Sequence, residues 1–316
     1  MPEVKLIAIL FPLLSAISAG AATLRLGIIG TDTSHVTAFT QMLNDERSPD
    51  HVPGGQVVAA YKGGSPDVES SATRVDKFAD ELRTKWNVQF YTSIPELCRK
   101  VDAVLLESLD GRVHLAQARP VIEAHKPLFI DKPLASTLAD AREIARLAGE
   151  AGVPWFSASS LRFGEIAQTM KFADAQGVET WGPGPLEPHH QLELSWYAIH
   201  PIELLFSLMG PGCEEVTRIF TADADLIAGR WKDGRIGTVR ALRPYGDYGA
   251  VVFRPKQIVE SPPHAADSYR PLVVEIMKFF ETGQPPVPNR ETLEMFAFMD
   301  AAQRSKEDGG KPMRLR

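Results

Sequence analysis

The chain has 316 residues, 44% of them apolar and 23% charged, with a formal net charge of −6. That length suits two domains of ordinary size, each with its own core. The mild acidity gives no electrostatic footprint for nucleic acid or an anionic membrane, so a small-molecule partner is expected.

The first residues, MPEVKLIAILFPLLSAISAGAA, hold one lysine, an apolar run from Leu6 to about Ile17, and small residues up to Ala21. This pattern predicts a signal peptide over residues 1–22, cleaved near Ala21, and an exported protein, periplasmic or secreted. The run is shorter than the about 20 apolar residues of a spanning helix, so no transmembrane span is expected. No arginine pair precedes it, which argues for export of the unfolded chain without a bound cofactor. Cys98 and Cys213 fall in different predicted domains and read as small buried residues, not as a disulfide.

Beyond the leader, short apolar runs alternate with helical patterns. Strands are predicted at 24–30, 55–64, 88–93, 101–108, 127–133 and 153–159, with helices at 35–45, 73–87, 94–100, 114–125 and 138–152. Runs of Val, Ile and Leu without polar alternation are buried on both faces, as in a parallel sheet between helices. The order predicts a Rossmann-like, doubly wound α/β domain over 23–155. The remainder, 156–316, has another texture. Residues 225–244 alternate across a Lys-Asp-Gly turn as a hairpin, 214–223 and 248–255 read as further strands, and 269–283 and 290–310 as closing helices. An α+β domain with an open, mainly antiparallel sheet is expected there.

The first turn, RLGIIGTDTSH, keeps Gly30 of a G-x-G-x-x-G dinucleotide fingerprint but has Asp32 and His35 at the other two glycine positions. A carboxylate there repels a pyrophosphate and fills the position of closest approach. The end of the second strand offers no acid for ribose hydroxyls, although Lys62 suits a 2′-phosphate. Asp or Thr capping of the following helix explains the turn without any ligand.

The segment VDAVLLESLDGRVHLAQARPVIEAHKPLFIDKPLA, with His114 and Asp131-Lys132-Pro133, resembles the Gfo/Idh/MocA family of glucose-fructose oxidoreductases and inositol dehydrogenases, and the likeness continues through WYAIHPIELLFSLMG. The resemblance implies an NAD- or NADP-dependent oxidoreductase acting on a sugar, polyol or derivative. It implies Lys132 at the nicotinamide end of the cofactor and His200 as acid/base, with Glu203 sharing the His200 helix face and able to orient it. Cofactor contacts are expected at Gly30, Thr31, Asp32, Ser34, His35, Lys62, Glu107, Asp131 and Lys132, and substrate contacts at His114, Arg162, Trp196 and Tyr197. Trp196 replaces the family's Asp and Glu203 a second Asp, so one polar substrate contact is lost and sugar stacking on Trp196 and Tyr197 is gained. Relatives pair through the open face of the second sheet, which implies a homo-oligomer.

Glu187, His189 and His190 lie close to His200 in sequence and suit a divalent metal such as zinc. Two alternatives to the redox reading therefore stand beside it. One is an exported non-redox sugar enzyme (lyase, epimerase or hydrolase) that uses Lys132 and His200, with or without that metal. The other is a non-catalytic sugar-binding protein.

Overall fold

The computed structural model describes residues 22–263 and 268–316. The expected signal segment, apart from its last residue, lies outside them. Among the described residues no helix is long and apolar enough to cross a membrane.

Strands β1 (Leu24–Ile29), β2 (Gly55–Tyr61), β3 (Gln89–Phe90), β4 (Ala103–Leu106), β5 (Leu128–Asp131) and β6 (Trp155–Ala158) form one parallel sheet in the order β3-β2-β1-β4-β5-β6. The order reverses between β1 and β4, the place where open α/β sheets open a ligand crevice at their carboxyl ends. Between the strands run α1 (Ser34–Asn44), α2 (Glu69–Ala72), α3 (Val75–Trp86), α4 (Ile94–Cys98), α5 (His114–Glu123) and α6 (Leu138–Ala151). Each helix has a local cause. For α6, the Thr137 side chain accepts the Asp140 N–H at 3.0 Å, and Gly152 closes the helix at φ +63°.

Successive strand residues face opposite ways, so each strand feeds two cores. Leu26, Ile28, Leu105 and Phe129 pack with Val36 and Phe39 of α1, whereas Ile29, Val104, Leu106 and Ile130 pack with Val121 of α5 and Ile144 of α6.

After α7 (Glu165–Thr169) the chain forms β7 (Gly177–Pro183), α8 (Glu193–Trp196), α9 (Ile199–Met209), β8 (Cys213–Phe220), β9 (Ala224–Trp231), β10 (Ile236–Leu242), β11 (Gly249–Arg254) and β12 (Gln257–Glu260). It ends in α10 (Arg270–Thr282), α11 (Asn289–Glu307) and β13 (Met313–Arg314). The second sheet runs β12-β11-β7-β10-β9-β8-β13, antiparallel except between β7 and β10. The predicted hairpin is β9–β10, with Gly234 at φ +87° in its turn.

Helix α9 is buried throughout and lies on β7 and β10, with Phe206 against Trp231 and Phe298. Helix α10 returns to the first sheet, where Leu272, Val273 and Ile276 join the core beside α1. This return holds the second half of the chain against the crevice. Both cysteines are free and buried, and burial pushes their thiols up to about 11 for Cys98 and about 12 for Cys213.

Candidate active site

The first turn leaves β1 at Gly30, whose φ of +88° and close approach to Ser108 exclude a side chain: a Cβ would lie 2.5 Å from the Ser108 backbone. The fingerprint's first glycine therefore keeps its structural work. Thr31 turns inward, its hydroxyl shared between the carbonyls of Lys62 and Val75, each at 3.0 Å. Asp32 is fully buried and accepts from the Ser71 hydroxyl at 2.6 Å and the Leu109 N–H at 3.0 Å. Burial raises its pKa, against those two bonds. Asp32 is thus a strut between three segments. Neither expected cap forms by side chain: Thr33 precedes α1 with its buried hydroxyl unpartnered among the described residues.

The ends of β5 and of α9 meet across a cavity of about 230 Å³ whose walls include His35, Asp131, Lys132, Tyr197, His200 and Tyr248. Asp131 ends its strand fully buried, taking the Lys132 N–H at 2.8 Å and the His35 Nδ1 at 2.6 Å. Burial opposes its charge, but His35 and Lys132 outweigh burial and hold its carboxyl below the usual range. Lys132 points its Nζ over the Tyr197 ring, 5.4 Å from the centroid. Burial lowers the pKa of its ammonium, and Asp131 offsets part of that. His200 holds Ser159 Oγ on Nδ1 at 2.7 Å. Burial, then Lys132 and His35, push its pKa well below the ordinary value, so its ring is neutral.

Asp131, Lys132, His200, Tyr197, Ser34 and His35 are thus brought together, and other candidates are placed elsewhere. Glu203 lies behind His200, accepting the Ser159 N–H at 2.6 Å and the Arg162 Nε at 2.7 Å, while Arg162 also binds Glu291 at 2.7 Å. Arg162 therefore closes a buried ion cluster and does not line the cavity. His114 is fully buried beneath the loop after β4, with Nε2 2.7 Å from the Ser108 carbonyl and Nδ1 3.3 Å from the Leu134 carbonyl. Trp196 packs edge-on to His190. Glu107 is sealed beneath the turn with neither carboxyl oxygen partnered among the described residues, and burial followed by Asp131 raises its pKa well above the ordinary value.

The metal expectation is not met, because the adjacent histidines point apart. His189 is half-exposed on Glu187 at 2.6 Å, whereas the buried His190 binds Asp110 at 3.0 Å. Among the described residues no group of three or more His, Cys, Asp or Glu could hold a metal ion. Asp110 is held anionic: burial opposes its charge, but His190 and Arg112 outweigh burial and lower its pKa.

The site has members that no local pattern announced. Tyr245, Tyr248 and Tyr269 reach the cavity from segments far along the chain. At the end of β2, Lys62 pairs with Asp76 of α3.

The crevice has a hollow for each half of a dinucleotide. At one end lie the first turn of α1, Thr33 and Lys132. At the other, an open hollow of about 590 Å³ at the ends of β2 and β3 is walled by Lys62, Gly63, Gly64, Tyr91 and Gln117. Both ends fit the two halves of such a molecule. Between them Gly63 lies against Gly30, and the segment that follows is tied down by Ser71 on Asp32 and by Arg112 on Asp67.

A parallel sheet with a polar, titratable cavity at its carboxyl edge, closed by a second sheet and its helix, is the architecture of two-domain dehydrogenases. Residues 24–159 match the sequence pattern of the Gfo/Idh/MocA proteins, described as an oxidoreductase family with an NAD-binding Rossmann fold. The match covers the parallel-sheet half of the chain. The chain is 36% identical over 126 residues to 1,5-anhydro-D-fructose reductase of Ensifer adhaerens, covering 39% of this chain and 34% of that one. It is 32% identical over 133 residues to inositol 2-dehydrogenase of Cereibacter sphaeroides, covering 41% and 34%. The matched region thus spans about a third of the length of these relatives. In fold, myo-inositol dehydrogenase of Lactobacillus casei, solved with NAD(H) and myo-inositol, superposes with a TM-score of 0.73 at 18% identity over 93% of this chain and 97% of that one.

Proposed function

We propose that the protein is an NAD(P)-dependent oxidoreductase acting on a hydroxyl or carbonyl of a sugar, polyol or derivative. The observation that carries this reading is the meeting of Lys132 and His200 in one cavity at the carboxyl edge of a sheet whose sequence matches an NAD-binding family. The names of the relatives, an anhydrofructose reductase and inositol dehydrogenases, support the substrate class. The first turn of α1, with Thr33 and Ser34, would hold the pyrophosphate, and the Lys62 to Gly64 hollow the adenosine end. A bound nicotinamide supplies the hydride acceptor or donor.

The chain's own residues supply the rest. Lys132, fixed by its place after Asp131, donates a hydrogen bond to the reacting oxygen. The neutral ring of His200, set by Ser159, accepts or returns a proton at the nitrogen that Ser159 does not hold. Tyr197 covers Lys132 and keeps bulk water from it. The reading requires residues 63–74 to lift from Gly30 when a dinucleotide crosses. Their contact with Gly30 is also what favours the second reading, a non-redox sugar enzyme using the same lysine and histidine.

Two finer expectations belong to the proposal. Export rests on the leader sequence alone. Self-association through the second sheet is supported by exposed Ile236, Phe253 and Ile258 on β10, β11 and β12. The direct test is turnover: myo-inositol with NAD+ or NADP+, and 1,5-anhydro-D-fructose with NADPH, followed by nicotinamide absorbance. Turnover that Lys132→Ala and His200→Ala each lower at least 100-fold, with folding intact, supports the reading. Equal activity in both variants overturns the site.

A further inference from the structure

We infer that His35, oriented by Asp131, is a second acid–base group of the same cavity; the inference rests on the reading of that cavity as the catalytic one. His35 stands where a dinucleotide fingerprint carries its third glycine. A space-filling role would satisfy that position with any small side chain. The imidazole found there is built in on every side. Its Nδ1 lies 2.6 Å from Asp131 Oδ2. The ring stacks on Phe39 with centroids 5.2 Å apart and planes 9° apart, and the Tyr269 ring meets it edge-on at 4.6 Å. Both partners of the pair are buried, yet His35 reaches the cavity wall beside Lys132 and His200.

The direction of the hydrogen bond follows from charge. Asp131 also accepts the Lys132 N–H, and the Lys132 ammonium beside it favours the ionised carboxylate, so its Oδ2 accepts and His35 Nδ1–H donates. The lone pair of a neutral His35 is therefore on Nε2, away from the carboxylate. That is the division of labour of an Asp–His pair, in which the acid fixes tautomer and orientation and balances the imidazolium. A proton placed on His200 lies in the field of Lys132. A proton placed on His35 is balanced by Asp131. In the step assigned to His35, the substrate O–H bond breaks, an N–H bond forms at Nε2, and the electron pair stays on the substrate oxygen beside Lys132. The reverse direction returns the same proton.

The experiment has a structural arm and a kinetic arm, both on the full chain. Long-range 1H–15N NMR of the labelled protein, assigned with His35→Gln, should show His35 as the Nδ1–H tautomer. Its Nδ1 proton should lie far downfield and vanish in Asp131→Asn. Diethyl pyrocarbonate should modify His35 at Nε2 in the wild type, several-fold more slowly in Asp131→Asn, and more slowly when myo-inositol fills the cavity. An Nε2–H tautomer, a signal indifferent to Asp131→Asn, or an unreactive His35 overturns the inference. On any polyol the wild type oxidises, His35→Gln should lower kcat about 100-fold or more while KM moves less than about threefold. His35→Gly should recover part of that rate with added imidazole. A His35→Gly enzyme at wild-type kcat without imidazole would show a space-filling role and overturn the inference. Absence of turnover by the wild type, with the tautomer and reactivity as described, counts against the proposed oxidoreductase and leaves the His35 pair standing.

Discussion

A Cβ on Gly63 would stand 3.1 Å from the Cα of Gly30, so two glycines from successive strand ends lie face to face over the crevice. The contact has a purpose only if something holds the segment down. Thr31 binds the Lys62 carbonyl, Asp32 binds Ser71, and Arg112 binds Asp67. Ser71→Ala strips one oxygen of a buried carboxylate of its partner, a cost of about 1–3 kcal/mol borne only by the closed arrangement. Because closure taxes apparent affinity, titration of NAD+ against protein fluorescence should give Ser71→Ala at least a fivefold lower Kd than the wild type. An unchanged Kd would remove residues 63–74 from the account of cofactor entry.

Glu107 offers a test through stability. Its pKa is raised in the folded chain by burial and by Asp131, so unfolding releases a proton at any pH above about 4.3 and below the folded value. Its contribution is intact below that pH and is lost as pH rises. Glu107→Gln cannot titrate, so in urea unfolding the variant should gain on the wild type between pH 4 and pH 7. The gain should be about 1.4 kcal/mol for each unit of raised pKa. Parallel stability curves would mean that Glu107 finds a partner for its charge.

Arg162 ties Glu203 to Glu291 with both carboxylates buried. Arg162→Ala leaves two buried acids unbalanced and should cost about 3–5 kcal/mol in denaturant unfolding. Arg162→Met combined with Glu203→Gln should recover a good part of the loss. If Arg162→Ala instead keeps its stability and raises only KM, the arginine contacts substrate as the sequence suggested.

Asp76 pairs with Lys62, which lines the hollow proposed for the adenosine end. Asp76→Ala frees the lysine for a 2′-phosphate, and the ratio of NADP to NAD affinity should rise several-fold, more at low salt. A ratio that does not move would place Lys62 outside the adenosine site.

The parallel sheet was legible because buried strands such as VDAVLLES have a composition unlike the amphipathic helices around them. Lys132 and His200 were legible from the resemblance, and their meeting follows from strand order, since β5 and α9 both reach the cleft. Strand β7 was not. Its sequence GVETWGP has glycine, proline and a charge, and its place in the sheet is set by β10 and β11, which come much later in the chain. Asp32 read as a pyrophosphate repellent because its partners, Ser71 and Leu109, are distant in sequence. The metal cluster failed for a local reason: consecutive loop residues His189 and His190 turn to opposite sides. Tyr245, Tyr248 and Tyr269 have no local signal at all, being brought in by the approaches to β11 and α10.

On the proposed function, this crevice receives a nicotinamide dinucleotide despite Asp32 and the segment over Gly30. Isothermal titration of NAD+ and NADP+ into the wild type and Ser71→Ala should show one saturable site per chain for at least one dinucleotide, tighter in the variant. Heat of dilution alone in both proteins, with both cofactors, would contradict it and move the chemistry of Lys132, His200 and His35 to a non-redox reaction.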